Sequence, residues 1–197
     1  MNRNRRISGD ILFTVALALL MPAWTIHGQP AALPLRLGDP LSDVTGQSLS
    51  GNPAHLLMTV EGKIALVVFS FSEAGGKDTQ LWDRDLLRDF GSNRSVALST
   101  VIMLESAPRL LRGVIVSKLK SDMPPSLHES TIVSYENEEL WKQRLNVAND
   151  SHAYVILLGQ DGRIRWRNSG AFNNAEYEEL KTKIQEQFQS ATSRQMP

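Results

Sequence analysis

Residues 64–71 form an apolar run, broken only by Ser70, that contains the β-branched residues Ile64, Val67 and Val68. The run has no helical period and reads as a strand buried on both faces. A Gly-containing loop with Gly75 and Gly76 follows. Asp78 then opens a helix predicted over residues 78–90, with Leu81, Trp82, Leu86 and Phe90 at helical spacing and Gly91 as its stop. A second strand is predicted over 95–104 and a second helix over 108–120. In that helix Leu110, Leu111, Val114, Ile115 and Leu119 make a broad apolar face. The Met123-Pro124-Pro125-Ser126 cluster ends it.

A short strand over 131–135 and a short helix over 137–145 come next, the helix carrying Leu140, Trp141 and Leu145 on one side. Residues 153–158 are a third strong strand. Gly159-Gln160-Asp161-Gly162 is a turn, and residues 163–167 return as a strand. In that return Ile164 and Trp166 alternate with Arg163, Arg165 and Arg167, the pattern of one buried and one solvated face. A terminal amphipathic helix is predicted over 174–188, with a frayed tail after it. Before the first strong strand, residues 41–50 read as turn and short strand, with Thr45-Gly46-Gln47 as the turn. The fold class that results is α/β: a mixed sheet with helices on both faces, its first two buried strands parallel through a right-handed crossover.

Arg3, Arg5 and Arg6 precede an apolar stretch over residues 11–21, with Pro22 and Gly28 after it. This is the pattern of a secretory signal, too short for a full membrane span, which needs about 20 apolar residues. The expected organisation is a signal peptide over 1–28, a linker over 29–36, one domain over 37–190 and a tail over 191–197. Export to the periplasm follows. An uncleaved anchor that holds the chain at a membrane, and a mitochondrial presequence, are the alternatives.

The 197-residue chain balances 21 basic against 21 acidic side chains. Zero net charge supplies no footprint for nucleic acid. The chain contains no cysteine, which excludes disulfides, thiol catalysis and thiolate metal sites. His27, His55, His128 and His152 are scattered without metal-ligand spacing, so no metal or other cofactor is expected. Lys77 lacks the flanking residues of a phosphate-binding loop, and there is no Gly-x-Ser-x-Gly elbow.

Leu37-Gly38-Asp39-Pro40, the strand over 64–71, Tyr154-Val155-Ile156-Leu157-Leu158 and Asp161-Gly162-Arg163-Ile164 with Gly170 resemble the landmarks of thioredoxin-like proteins. The resemblance covers residues 35–188 and implies a thioredoxin-like three-layer sandwich. Within that superfamily, Phe69-Ser70-Phe71-Ser72 and Gly162-Arg163-Ile164-Arg165-Trp166 with Ser169-Gly170 look most like the mitochondrial ATP synthase assembly factors. They also resemble a small bacterial periplasmic family. The two redox positions of thioredoxins fall near Gly75 and Asp78, neither of which forms a thiolate. Ser151-His152-Ala153 stands where those proteins place a cis-proline, and a trans peptide is expected.

The resemblance implies a binding or assembly role with a protein partner, such as a membrane protein subunit, and a transient association with a membrane. The candidate partner surface is the cysteine-free loop and its neighbours: Ser72, Glu73, Gly75, Gly76, Asp78, Trp82 and His152. Gly75 and Gly76 also fit a flexible turn, Asp78 a helix N-cap, Trp82 a core residue and His152 a loop residue. Two other functions stay open. One is a cysteine-independent enzyme with His152 and Asp78 as acid–base groups. The other is a passive module anchored to a membrane.

Overall fold

The computed structural model describes residues 33–194, with side chains to residue 190. The expected signal peptide over 1–28 lies outside the described residues.

A seven-stranded mixed sheet forms the centre, in the order β2-β1-β5-β4-β3-β6-β7. Its strands are β1 (Thr45–Ser48), β2 (Pro53–His55), β3 (Ile64–Ser70), β4 (Val96–Met103), β5 (Thr131–Ser134), β6 (Tyr154–Leu158) and β7 (Ile164–Asn168). The helices are α1 (Leu56–Val60), α2 (Glu73–Phe90), α3 (Arg109–Asp122), α4 (Glu138–Leu145) and α5 (Asn174–Arg194). β3 pairs parallel with β4, and β4 with β5. β6 joins β3 antiparallel and forms a hairpin with β7.

All seven residues of β3 are buried, as its unbroken apolarity predicts. Alternation divides them between two layers. Ala65, Val67 and Phe69 face a core closed by Trp141 and Leu145 of α4, with Leu56 and Val60 of α1. Ile64, Leu66 and Val68 face Trp82 and Leu86 of α2, with Tyr177, Leu180 and Ile184 of α5. A smaller cluster of Leu49, Ile102, Met123, Leu127 and Val133 fills the edge beneath α3, joined by partly buried Val116 and Leu119.

Several local expectations change. Thr45-Gly46-Gln47 is strand, not turn: it pairs with β2 on one side, and Gln47 with β5 on the other. Gly46 is required because a Cβ there would collide with the Val133 carbonyl oxygen of β5. Residues 35–41 are stitched to the β6–β7 hairpin rather than free. Gly38 N–H donates to the Ile164 carbonyl at 2.8 Å, and Ile164 N–H returns to Asp39 at 2.9 Å. Leu35, placed in the expected linker, is buried in the core. α5 continues to Arg194, past the predicted stop at 188.

The largest difference is in α3. Its apolar face suggests a core helix, yet none of its residues is buried. Leu110 is 95% exposed, Leu111 52% and Val114 67%. Among the described residues no layer covers Leu110, Leu111 and Val114, while Ile115 and Leu119 of the same face are partly buried.

Candidate functional site

Ser72 leaves β3 in extended conformation, with φ −152° and ψ 170°, and caps α2. Its oxygen accepts the Gly75 N–H at 3.0 Å, and its hydroxyl donates to the Asp150 carbonyl at 2.7 Å. One side chain thus satisfies an orphan donor of the helix and ties that helix end to the loop before β6. Gly75 and Gly76 are therefore helical, not a flexible turn. A Cβ on Gly75 would stand 2.7 Å from the Asp150 carbonyl oxygen and 3.2 Å from that of His152. Only glycine admits so close an approach of backbone to helix.

Asp78 lies inside α2 and is not its N-cap. The cap falls six residues earlier because Ser72 and the acidic Glu73 after it suit a helix start. Asp78 Oδ2 accepts the Ala153 N–H at 2.8 Å, and Oδ1 accepts the Phe172 N–H at 2.9 Å. Both oxygens hold backbone, one donor from the start of β6 and one from the loop after β7. His152 Nε2 lies 3.0 Å from the Asn149 side-chain amide and shares no hydrogen bond with Asp78. The peptide bonds of the described residues are all trans.

Trp82 is fully buried. Its ring centroid lies 5.1 Å from Phe172, 6.2 Å from Tyr177 and 6.3 Å from Trp166. It is an aromatic core residue and presents no surface to a partner, because the inward face of α2 carries it into the α5 layer.

The candidate residues therefore separate. Gly75, Asp78 and Trp82 fasten the start of α2 to its surroundings, while His152 bonds to Asn149 within the loop that Gly75 approaches. Ser72, Glu73 and Gly76 line a cleft of about 300 Å³ between α2 and α3. Its walls are mostly apolar, with Phe71, Met103, Leu104, Ile115, Leu119 and Met123 among them. Of the α3 residues in this cleft, Ile115 and Leu119 belong to the broad apolar face expected from the sequence, and Lys118 and Asp122 do not. What the sequence did carry is a helix with more apolar positions than one buried stripe needs.

Polar groups punctuate the cleft. Asp83 and Thr79 line it from α2, and Lys118 and Asp122 from α3. Lys118 pairs with Asp122 at 2.9 Å. Asp83 accepts the Thr100 hydroxyl of β4 at 3.0 Å. It keeps a margin of exposed surface, but protein rings its carboxylate closely. Burial pushes its pKa up to about 7, opposed by the Thr100 hydrogen bond. On the outer side of α2, the Arg88 guanidinium holds Asp89 low, at about 2, against the desolvation of partial burial. Among the described residues no cluster of three or more His, Asp or Glu could hold a metal ion. None of the described helices is long and apolar enough to cross a membrane.

Among solved structures, the fold is similar to a protein assigned as the thiol:disulfide interchange protein DsbE from Chlorobium tepidum. The two are 14% identical with a TM-score of 0.57, over 78% of this chain and 98% of that one. It is also similar to the exposed lipoprotein thioredoxin Etrx1 of Streptococcus pneumoniae, at 14% identity and a TM-score of 0.54, over 73% and 99% of the two chains. A thiol peroxidase from Chromobacterium violaceum is 13% identical with a TM-score of 0.53, over 80% and 91%. These likenesses show the fold, which is thioredoxin-like. Comparison with curated proteins gave no match. Residues 40–186 match the family described as ATP10 protein. The chain belongs to the ATP10 protein family, on a thioredoxin-like fold without cysteine.

Proposed function

We propose that this protein is an assembly factor that works without thiol chemistry, by holding an apolar segment of a protein client in the α2–α3 cleft. Family membership supports an assembly role. The absence of cysteine leaves non-covalent holding as the means.

The observation that carries the reading is α3, whose 14 residues include none that is buried. A helix with apolar residues on both its cleft side and its outer side is short of a partner on at least one of them. A client segment laid against Leu111, Ile115 and Leu119 removes that surface from water, at about 25 cal/mol per Å² of apolar area. Segments destined for lipid are apolar around their whole circumference and suit such a cleft before they are inserted. A membrane protein subunit is the client this reading favours.

Export, expected from the N-terminal segment, belongs to the same proposal. An intact-mass measurement on native protein tests it: loss of residues 1–28 supports export, and a full-length mass refutes cleavage.

The client site is tested by a photo-crosslinking amino acid placed in cells at Gln80 and Leu111, and at Gln160 in the β6–β7 turn as a control. The reading expects one membrane protein attached at positions 80 and 111, absent at 160, and lost when Leu119→Glu puts a charge in the cleft. Equal products at all three positions, or none at the cleft, refute it.

A further inference from the structure

Asp83 is the cleft's one acid that is partly buried and has no cation paired with it. Its two oxygens accept the same Thr100 hydroxyl, at 3.0 and 3.2 Å. A hydroxyl carries a single proton, so the carboxylate has most of its acceptor capacity unused. None of the salt bridges among the described residues includes Asp83, whereas Asp122 across the cleft is paired with Lys118 at 2.9 Å. Glu73, the third acid of the lining, is exposed.

One helical turn before Asp83, Thr79 is only 3% exposed, and its hydroxyl has no hydrogen-bond partner among the described residues. Threonine inside a helix ordinarily gives its hydroxyl to the carbonyl four residues back. Here it does not. Spacing of four residues puts Thr79 and Asp83 on one face of α2, and both line the apolar cleft.

We propose that the cleft selects a client segment that is apolar except for one basic side chain, whose charged end pairs with Asp83 while the Thr79 hydroxyl accepts a second N–H. This rests on the cleft being the client site. A wholly apolar segment laid over the cleft would exclude water from Asp83 and leave its charge without a partner. An acidic side chain would add a like charge. A basic one turns the same burial into a charge-assisted hydrogen bond. Arginine fits best, because its planar fork offers several N–H donors to a carboxylate and stays charged when desolvated. Burial alone already raises the Asp83 carboxyl, and a cation supplies the stabilisation that the apolar walls withhold. Discrimination thus comes from what the wrong segment leaves unpaired.

Three fluorescein-labelled peptides test the proposal. They share one apolar sequence of about 14 residues, matching the length of α3, and differ only at the centre: Arg, Gln or Glu. Each is titrated with the full chain at pH 8 and low salt, and followed by fluorescence anisotropy. The Arg peptide is expected to bind at least tenfold more tightly than the Gln peptide, and the Glu peptide weakest. In Asp83→Asn the Arg-to-Gln ratio should fall within twofold; in Asp122→Asn it should persist.

Equal binding of the Arg and Gln peptides by the natural chain overturns the basic preference. If Leu119→Glu then weakens both alike, the apolar client site survives that failure. No binding by any peptide, or binding indifferent to Leu119→Glu, overturns the client site and the preference together. Equal binding in the natural chain overturns the preference without any variant, so the proposal stays refutable even if Asp83→Asn does not fold.

Discussion

Two neighbouring glycines in α2 should respond to alanine with opposite signs. In a helix interior, glycine to alanine is normally stabilising by about 0.5–1 kcal/mol. Gly76 should follow that rule, because the nearest atom to an added Cβ is Ser70 Oγ at 3.8 Å, an ordinary contact. Gly75 should not. Its Cβ would meet the Asp150 carbonyl oxygen at 2.7 Å, and ordinary contact begins near 3.4 Å, so the loop or helix must move by about 0.7 Å. The loop cannot move freely. The Ser72 hydroxyl holds Asp150 at 2.7 Å, and Asp78 holds the Ala153 N–H at 2.8 Å. Overpacking of this kind costs about 1–3 kcal/mol, and loosening either hydrogen bond adds about 1 kcal/mol. Subtracting the helix gain leaves Gly75→Ala destabilised by about 1–3.5 kcal/mol. Thermal unfolding followed by tryptophan fluorescence reads both variants. For a domain of this size the midpoint temperature should fall by about 2–14 °C for Gly75→Ala and rise by about 1–4 °C for Gly76→Ala. A Gly75→Ala protein as stable as the natural chain would refute the close approach of α2 to the 150–152 loop.

Asp78→Ala should cost about 2–3 kcal/mol in chemical unfolding, because the Ala153 and Phe172 N–H groups both lose their acceptor. Trp82→Ala should cost about 3–5 kcal/mol by opening a cavity in the α5 layer; a near-neutral result would contradict its burial. Leu111→Ser should leave stability within about 0.5 kcal/mol, since the side chain is half exposed, while it weakens client binding measured by anisotropy. Asp83 has a folded pKa raised from 3.8 to about 7. The folded state therefore holds the proton more tightly, and stability declines as pH rises from about 4 through 7. The full shift corresponds to about 4 kcal/mol, and the exposure Asp83 keeps reduces this to about 2 kcal/mol. Asp83→Asn should remove that decline in a pH series of urea midpoints. The opposing loss from Asp89, held at about 2, appears only as pH falls below about 4.

Strands β3, β4 and β6 were legible in the sequence because each is dominated by apolar residues that must be covered on both sides, even where Ser99 and Thr100 interrupt β4. The β6–β7 hairpin was legible from Asp161-Gly162 and the alternation of Ile164 and Trp166. β2 and α1 were not. Three and five residues are too few for either period to register. The start of α2 was misread because intrinsic preference disfavours two glycines in a helix. A distant loop overrides that preference, since Gly75 is set by residues 150–152 and not by its neighbours in sequence. The signal that could have placed the start was Ser72 followed by Glu73. Gly46 repeats the lesson in a strand, where β5 leaves no room for a side chain. At the site, Ser72, Glu73 and Gly76 were found by their place after β3. Thr79, Asp83 and the α3 wall were missed, because a standoff between two helices leaves no mark on the periodicity of either.

α3 has a further consequence, in time rather than in space. Nothing on it is fully buried, and its start is held chiefly by Arg112. That guanidinium donates to the Glu105 and Ala107 carbonyls at 2.7 and 3.0 Å and stacks 4.9 Å from the Tyr135 ring centroid. A segment so weakly packed opens at a small fraction of the free energy needed to unfold β3. Its amide protons should exchange with solvent long before those of the sheet. The spacing between α2 and α3 can then breathe without disturbing the rest of the domain, so segments of different girth can enter and leave while the sheet behind them stays rigid.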